Sequence, residues 1–172
     1  MPALPASDTS APLDGPQWHY ALSAYARPGV APACLLLQDR LGVDVVVLLH
    51  LGYAAARLGQ PAAEPGIAAA DALVADWRAQ VVRPLRAARR AIPADAPHLA
   101  ALRACIQQAE LQAEQQALAW LAATLVQSAA SAQAVPARQV AAFYAARNGH
   151  DAAQLDTPEV HSALALLEQA LR

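Results

Sequence analysis

The chain contains no lysine: all twelve of its basic residues are arginines. That excludes Schiff-base chemistry, pyridoxal-phosphate linkage and the lysine-bearing phosphate loop. Glycine is scarce as well, seven residues with no Gly-x-Gly cluster, so no glycine cradle for a dinucleotide exists. The two cysteines, Cys34 and Cys105, stand far apart and form no C-x-x-C pair. Both fall inside apolar helical patterns, which predicts buried structural thiols. Charged residues make up 15% and the net charge is -2, a balance that argues against nucleic-acid or membrane-surface binding. The longest apolar stretch, residues 43–56, is interrupted by Asp44 and His50 and is too short to span a bilayer. The first fifteen residues lack a basic region followed by an apolar run, so the reading is a cytoplasmic protein without a secretory leader.

Alanine supplies more than a quarter of the sequence, β-branched and aromatic residues are sparse, and no segment alternates with period two for long. The expected class is all-α: a single-domain bundle of about six to seven helices. Its expected organisation is a disordered lead over 1–14, a helical core domain over 15–130, and a C-terminal helical pair over 131–172 packed on that core. The first helix opens with Asp14 as cap and carries a stripe of Trp18, Leu22 and Tyr25. A second helix, opened by Pro32, ends at Gly42. Asp44 then caps a third helix, apolar almost all round, to about Leu58; its Val45-Val46-Val47 start also fits a buried strand, but the apolar pattern runs too long for one.

A long fourth helix from about Ile67 to Ala91 is expected to kink at Pro84. The fifth, from about His98 to Ser128, shows two stripes. Leu99, Leu102, Ile106, Ala109, Ala113, Ala117, Trp120 and Thr124 form one, and Leu111, Leu118 and Leu125 form the other. Two stripes imply two packing partners, one of them read as another subunit, hence a homodimer. A short helix over 136–148 and a last helix opened by the capping box Asp156-Thr157-Pro158-Glu159 complete the chain.

The strongest candidate site is the basic cluster of the fourth helix. On a regular wheel Arg78, Arg83, Arg86, Arg89 and Arg90 share an arc of roughly 140°. Such a face suits a small anion or an acidic protein surface, with a solvated or internally paired face as the alternative. A second candidate is a pocket between the first three helices made from Asp39, His50, Tyr53 and Arg57, with His50 as proton carrier. Here the alternative is that His50 and Tyr53 each satisfy one buried hydrogen bond. Five scattered histidines offer no metal-ligand spacing. Glu110 and Glu114 lack the Glu-x-x-His partner of a carboxylate metal site, and no nucleophile elbow is present. No catalytic residue, metal or cofactor is therefore expected, and the aromatics read as core anchors.

Residues 18–54 carry Trp18-x-Tyr20-x-Leu22-x-x-Tyr25, Pro28-Gly29-Val30, Cys34-Leu35-x-Leu37-Gln38 and Gly42-x-Asp44-Val45. Trp77-Arg78, Val82-Arg83-Pro84-Leu85-Arg86 and the Glu110/Glu114 helix come after them. Together they resemble an uncharacterised proteobacterial family of small helical proteins over most of residues 18–125. His50 and Gly52-Tyr53 depart from the pattern, where larger apolar residues or Trp would be expected, and the segment from Val135 onward lies outside it. The resemblance implies an all-helical fold and supplies no reaction. The sequence reading is a non-enzymatic interaction module using the arginine face, with a small-molecule binder or enzyme as the second possibility.

Overall fold

A computed structural model describes residues 11–126 and 136–172. The lead over residues 1–10, the Ser128–Val135 loop and the expected end of the fifth helix at Ser128 lie outside them. Among the described residues there is no strand, and the chain is an all-α multi-helix bundle. Its elements are α1 (Pro16–Tyr25), α2 (Val30–Leu41), α3 (Val45–Leu58), α4 (Glu64–Trp77), a π-helical turn (Arg78–Val82), α5 (Arg83–Ala91), α6 (Ala100–Ala122), α7 (Ala137–Arg147) and α8 (Pro158–Ala170). Val45-Val46-Val47 is helical.

The core sits where α3, the most apolar helix, is surrounded. Val47, Leu48, Leu49 and Leu51 belong to one buried cluster with Leu37 and Leu41 of α2, Val74 of α4 and Leu121 of α6. From the C-terminal part Val140, Tyr144, Leu164, Leu167 and Leu171 join the same cluster. Burying each such side chain contributes about 1.5–3 kcal/mol relative to exposure. Helix α8 lies along α2, and the Tyr20 hydroxyl and the Arg27 guanidinium donate to the carbonyls of Leu171 and Ala170. Gly52 explains the departure in the middle of α3. A Cβ there would stand 3.1 Å from the Tyr20 hydroxyl oxygen, so the missing side chain lets Tyr20 and Leu171 close over the helix.

Several local expectations change. Asp14 does not cap α1: Gly15 does, without a side-chain bond, and Asp14 pairs with His19 at 3.2 Å instead. Of the stripe Trp18, Leu22, Tyr25, Trp18 packs on the edge of the core while Leu22 and Tyr25 stay exposed, and the core itself takes Tyr20, Ala21 and Ala24. The fourth helix begins earlier, at Glu64, and Pro84 is accommodated by the preceding π turn, in which the Arg83 N–H reaches the Arg78 carbonyl. Widening that turn relieves the clash of the proline ring with the preceding turn. Helix α6 runs from Ala100 to Ala122, and its first half leaves the core with α5, which buries no residue of its own. Leu102, expected to face inward, is about half exposed, and Cys105 is exposed. Thr157 rather than Asp156 caps α8, without a side-chain bond, while Asp156 pairs with Arg138.

Candidate functional site

The turn between α2 and α3 builds one wall of the site. Gly42 ends α2 with φ +71, a left-handed conformation available to glycine at little cost. Two residues on, Asp44 Oδ1 accepts the N–H groups of Val46 and Val47 at 2.8 and 3.1 Å and caps α3. Its other oxygen accepts Arg78 Nη1 at 2.6 Å. Arg78 Nη2 then reaches Asp71 Oδ1 at 2.8 Å, a carboxylate with no exposed side-chain surface. Tyr144 of α7 donates to the same oxygen at 2.6 Å, and Arg147 lies 3.3 Å from Oδ2. Burial works against the Arg78 charge, but Asp44 and Asp71 outweigh it and raise the guanidinium above its ordinary range. Burial, then the nearby acids, push the Tyr144 hydroxyl up as well.

A second charged knot lies across the cleft. Arg86 spreads its three nitrogens over three acceptors: Nε to Glu110 Oε1 at 3.0 Å, Nη2 to Glu114 Oε1 at 2.5 Å and Nη1 to Gln38 Oε1 at 2.6 Å. Arg89 Nε takes Glu110 Oε2 at 2.6 Å. The two glutamates sit one turn apart on α6 and diverge. Burial would raise Glu110, but hydrogen bonds from Arg89 and Arg86 hold its carboxyl below the ordinary range. Among the described residues Glu114 pairs with the shared Arg86 alone, and burial pushes its carboxyl upward.

Between these knots opens a cavity of about 620 Å³, framed by α1, α2, α3, α4, the π turn, α5 and α6. The stripe of α1 lines it, as do Leu35 and Leu111; Leu22, Tyr25, Leu35 and Leu111 are 46%, 38%, 47% and 40% exposed. Trp18, Val46, Leu49, Val74 and Trp77 complete an apolar lining. Trp77 is fixed by its indole N–H to the Ala113 carbonyl at 2.8 Å and an edge contact with Trp120. All five arginines of the sequence candidate line the cavity, together with Asp39, Asp44, Glu110 and Glu114.

The arginines are thus brought together, but not as a flat outward face. Arg78, Arg86 and Arg89 turn onto carboxylates of their own chain. Arg90 approaches exposed Asp39 at 3.9 Å, and among the described residues Arg83 has no carboxylate partner. The wheel misplaces them because the π turn inserts about one residue, roughly 100°, between Arg78 and the rest.

Asp39, His50, Tyr53 and Arg57 do not share a pocket. Asp39 lines the large cavity, whereas buried His50 lies 3.1 Å from Gln17 Nε2 and borders a separate pocket of about 240 Å³. Burial pushes the imidazole down to about 4, so it is neutral at physiological pH. Tyr53 packs edge-on against Tyr20, and the Arg57 guanidinium sits 5.8 Å from the Tyr20 ring centre. The reason is helical phase: α3 turns its His50 side toward α1 and its Val46–Leu49 side toward the cleft.

Sequence reasoning did not assign Trp18, Leu22, Tyr25, Leu35, Glu110 or Glu114 to a site. The available signal was the i, i+4 pair Glu110/Glu114 opposite Arg86/Arg89. Leu111 and Leu118 of the second α6 stripe also line the cleft. Cys34 is buried, and burial pushes its thiol up to about 11. Among the described residues no three His, Cys, Asp or Glu side chains converge as metal ligands, and no helix is long and apolar enough to cross a membrane.

Comparison with curated proteins finds no match, and neither does comparison with solved structures. A family model does match, over residues 16–121, more than half of the chain and all of the helices that frame the cleft. The chain belongs to the family described as "Protein of unknown function (DUF2390)".

Proposed function

We propose that this protein is a non-enzymatic binding module whose cleft takes a small organic anion with an apolar body. One observation carries the reading: a concave cavity is lined by the exposed Leu22, Tyr25, Leu35 and Leu111 together with five arginines. Large apolar side chains left open inside a cavity of small-molecule size are what a ligand's apolar part would cover. Five arginines face four carboxylates in the lining, a surplus of one positive charge. That balance suits a monoanionic head, held through charge-assisted bonds. An extended acidic protein surface fits less well, because Arg78, Arg86 and Arg89 are turned into the cleft and engaged.

Trp18 and Trp77 in the lining allow binding to be followed by intrinsic fluorescence. Octanoate is expected to shift the emission and to bind at least about tenfold more tightly than heptylammonium, which has the same alkyl tail. Changing Arg83 and Arg90 together to Gln weakens octanoate about tenfold while the melting temperature stays put, since the only ion pair lost is a long surface contact. Equal affinity for the two head groups overturns the reading.

A further inference from the structure

Resting on that reading, we infer that Glu114 is a built-in stand-in for the ligand's head group, and that a carboxylate ligand enters by displacing it from Arg86, with uptake of a proton. The geometry begins with Arg86, each of whose three nitrogens already holds an acceptor: Glu110 on Nε, Gln38 on Nη1 and Glu114 on Nη2. An incoming carboxylate takes over the Nη2 bond by replacing the acceptor that holds it.

Of the three acceptors Glu114 is the one that can leave. Glu110 is held from two sides, with Arg86 on one oxygen and Arg89 on the other, and its side chain is only 9% exposed. Gln38 is neutral, so its departure would not relieve any charge. Among the described residues Glu114 is held by a single bond, from Arg86, and its side chain is a quarter exposed within the cleft lining. The head group that replaces it best is the one it already imitates, a planar carboxylate.

The electrostatic surroundings decide the fate of the displaced side chain. Facing Glu114 are Arg86 and, more distantly, Arg89 of α5, Glu110 of its own helix, Asp44 at the start of α3 and the un-ionised Tyr25 hydroxyl of α1. Without Arg86 its nearest charged neighbours are two carboxylates, and a third negative charge arrives with the ligand. Glu114 then takes a proton from solvent, which leaves the cleft with the monoanion and no added repulsion. Burial already pushes the carboxyl above its ordinary range before any ligand arrives. Affinity therefore rises as pH falls toward that range, down to the point where the ligand's own carboxylate protonates, and weakens as pH rises.

The test uses the whole chain and octanoate. Between pH 6 and 8 the dissociation constant should rise by up to about tenfold per pH unit, the limit for one linked proton. Calorimetry at pH 7 in two buffers of different ionisation enthalpy should show uptake of about one proton per octanoate. Glu114→Gln, a neutral isostere, should bind octanoate about tenfold more tightly at pH 7.5 and lose the pH dependence. The buffer comparison needs no variant, so it stands even if Glu114→Gln misfolds. Octanoate binding without proton uptake, or with unchanged affinity in Glu114→Gln, overturns this inference and leaves the binding reading intact. Failure of octanoate to bind either protein overturns the binding reading and this inference with it.

Discussion

Asp71 is where the cleft and the C-terminal helices are joined, and Asp71→Asn tests that junction. Its carboxylate is fully buried and serves Arg78 at 2.8 Å, Tyr144 at 2.6 Å and Arg147 at 3.3 Å. Removing one partner of a buried ion pair typically costs about 3–5 kcal/mol, because the remaining charge stays out of water. Here the lower end applies. Arg78 keeps Asp44 at 2.6 Å, Arg147 is half exposed and turns to solvent, and the Asn oxygen still accepts from Tyr144. The expected loss is about 3 kcal/mol, or a fall in melting temperature of roughly 6–12 °C for a chain of this size. Urea unfolding followed by far-ultraviolet circular dichroism gives the free energy directly. In a double-mutant cycle that pairs Tyr144→Phe with Asp71→Ala, which removes the shared acceptor, the two changes should couple by about 1 kcal/mol or more. A melting temperature within about 2 °C of the parent, or strict additivity in the cycle, refutes the claim that this network docks α7 against α4.

Two further outcomes concern the remaining structural devices. The His50 imidazole sits near 4 in the fold and 6.5 in the unfolded chain. Below pH 6.5 the unfolded state gains a proton that the native state refuses, so stability falls until about pH 4, by roughly 3 kcal/mol from this group. The difference in urea midpoint between parent and His50→Gln should therefore narrow or reverse as pH drops from 7 to 4; a constant difference counts against a buried neutral imidazole. Gly42→Ala should destabilise by about 2 kcal/mol or more. Its φ of +71 disfavours a side chain, and the added Cβ would overlap the Asn148 amide that caps the Leu41 carbonyl. An unchanged thermal midpoint would mean that this turn is not strained by substitution.

Much of the fold was readable from local signals. Gly42-Val43-Asp44 announces the end of one helix and the start of another, and the geometry there matches: a left-handed glycine followed by a capping carboxylate. Helix α3 was legible because fourteen residues of nearly unbroken apolar character outrun a strand. Legibility failed where a residue had two local options and a distant partner chose between them. Asp156 had the makings of a cap, yet Arg138, eighteen residues upstream, took its carboxylate. Trp18, Leu22 and Tyr25 have the spacing of a core stripe, but α1 packs through Tyr20, Ala21 and Ala24, whose smaller average size permits close approach to α3.

The arginine cluster shows the same division most clearly. That residues 78–90 form a charged helix near a proline is written in the local sequence, because propensity and periodicity act over a few residues. Which way the guanidinium groups point was decided by the π turn, which rotates α5 relative to α4, and by Glu110 and Glu114 arriving from a helix across the loop. Helix formation is short-ranged, so a single chain of letters can specify it. A cleft arises from the relative phase and packing of seven segments spread from α1 to α6, and that arrangement is set by burial and charge pairing in the folded chain alone.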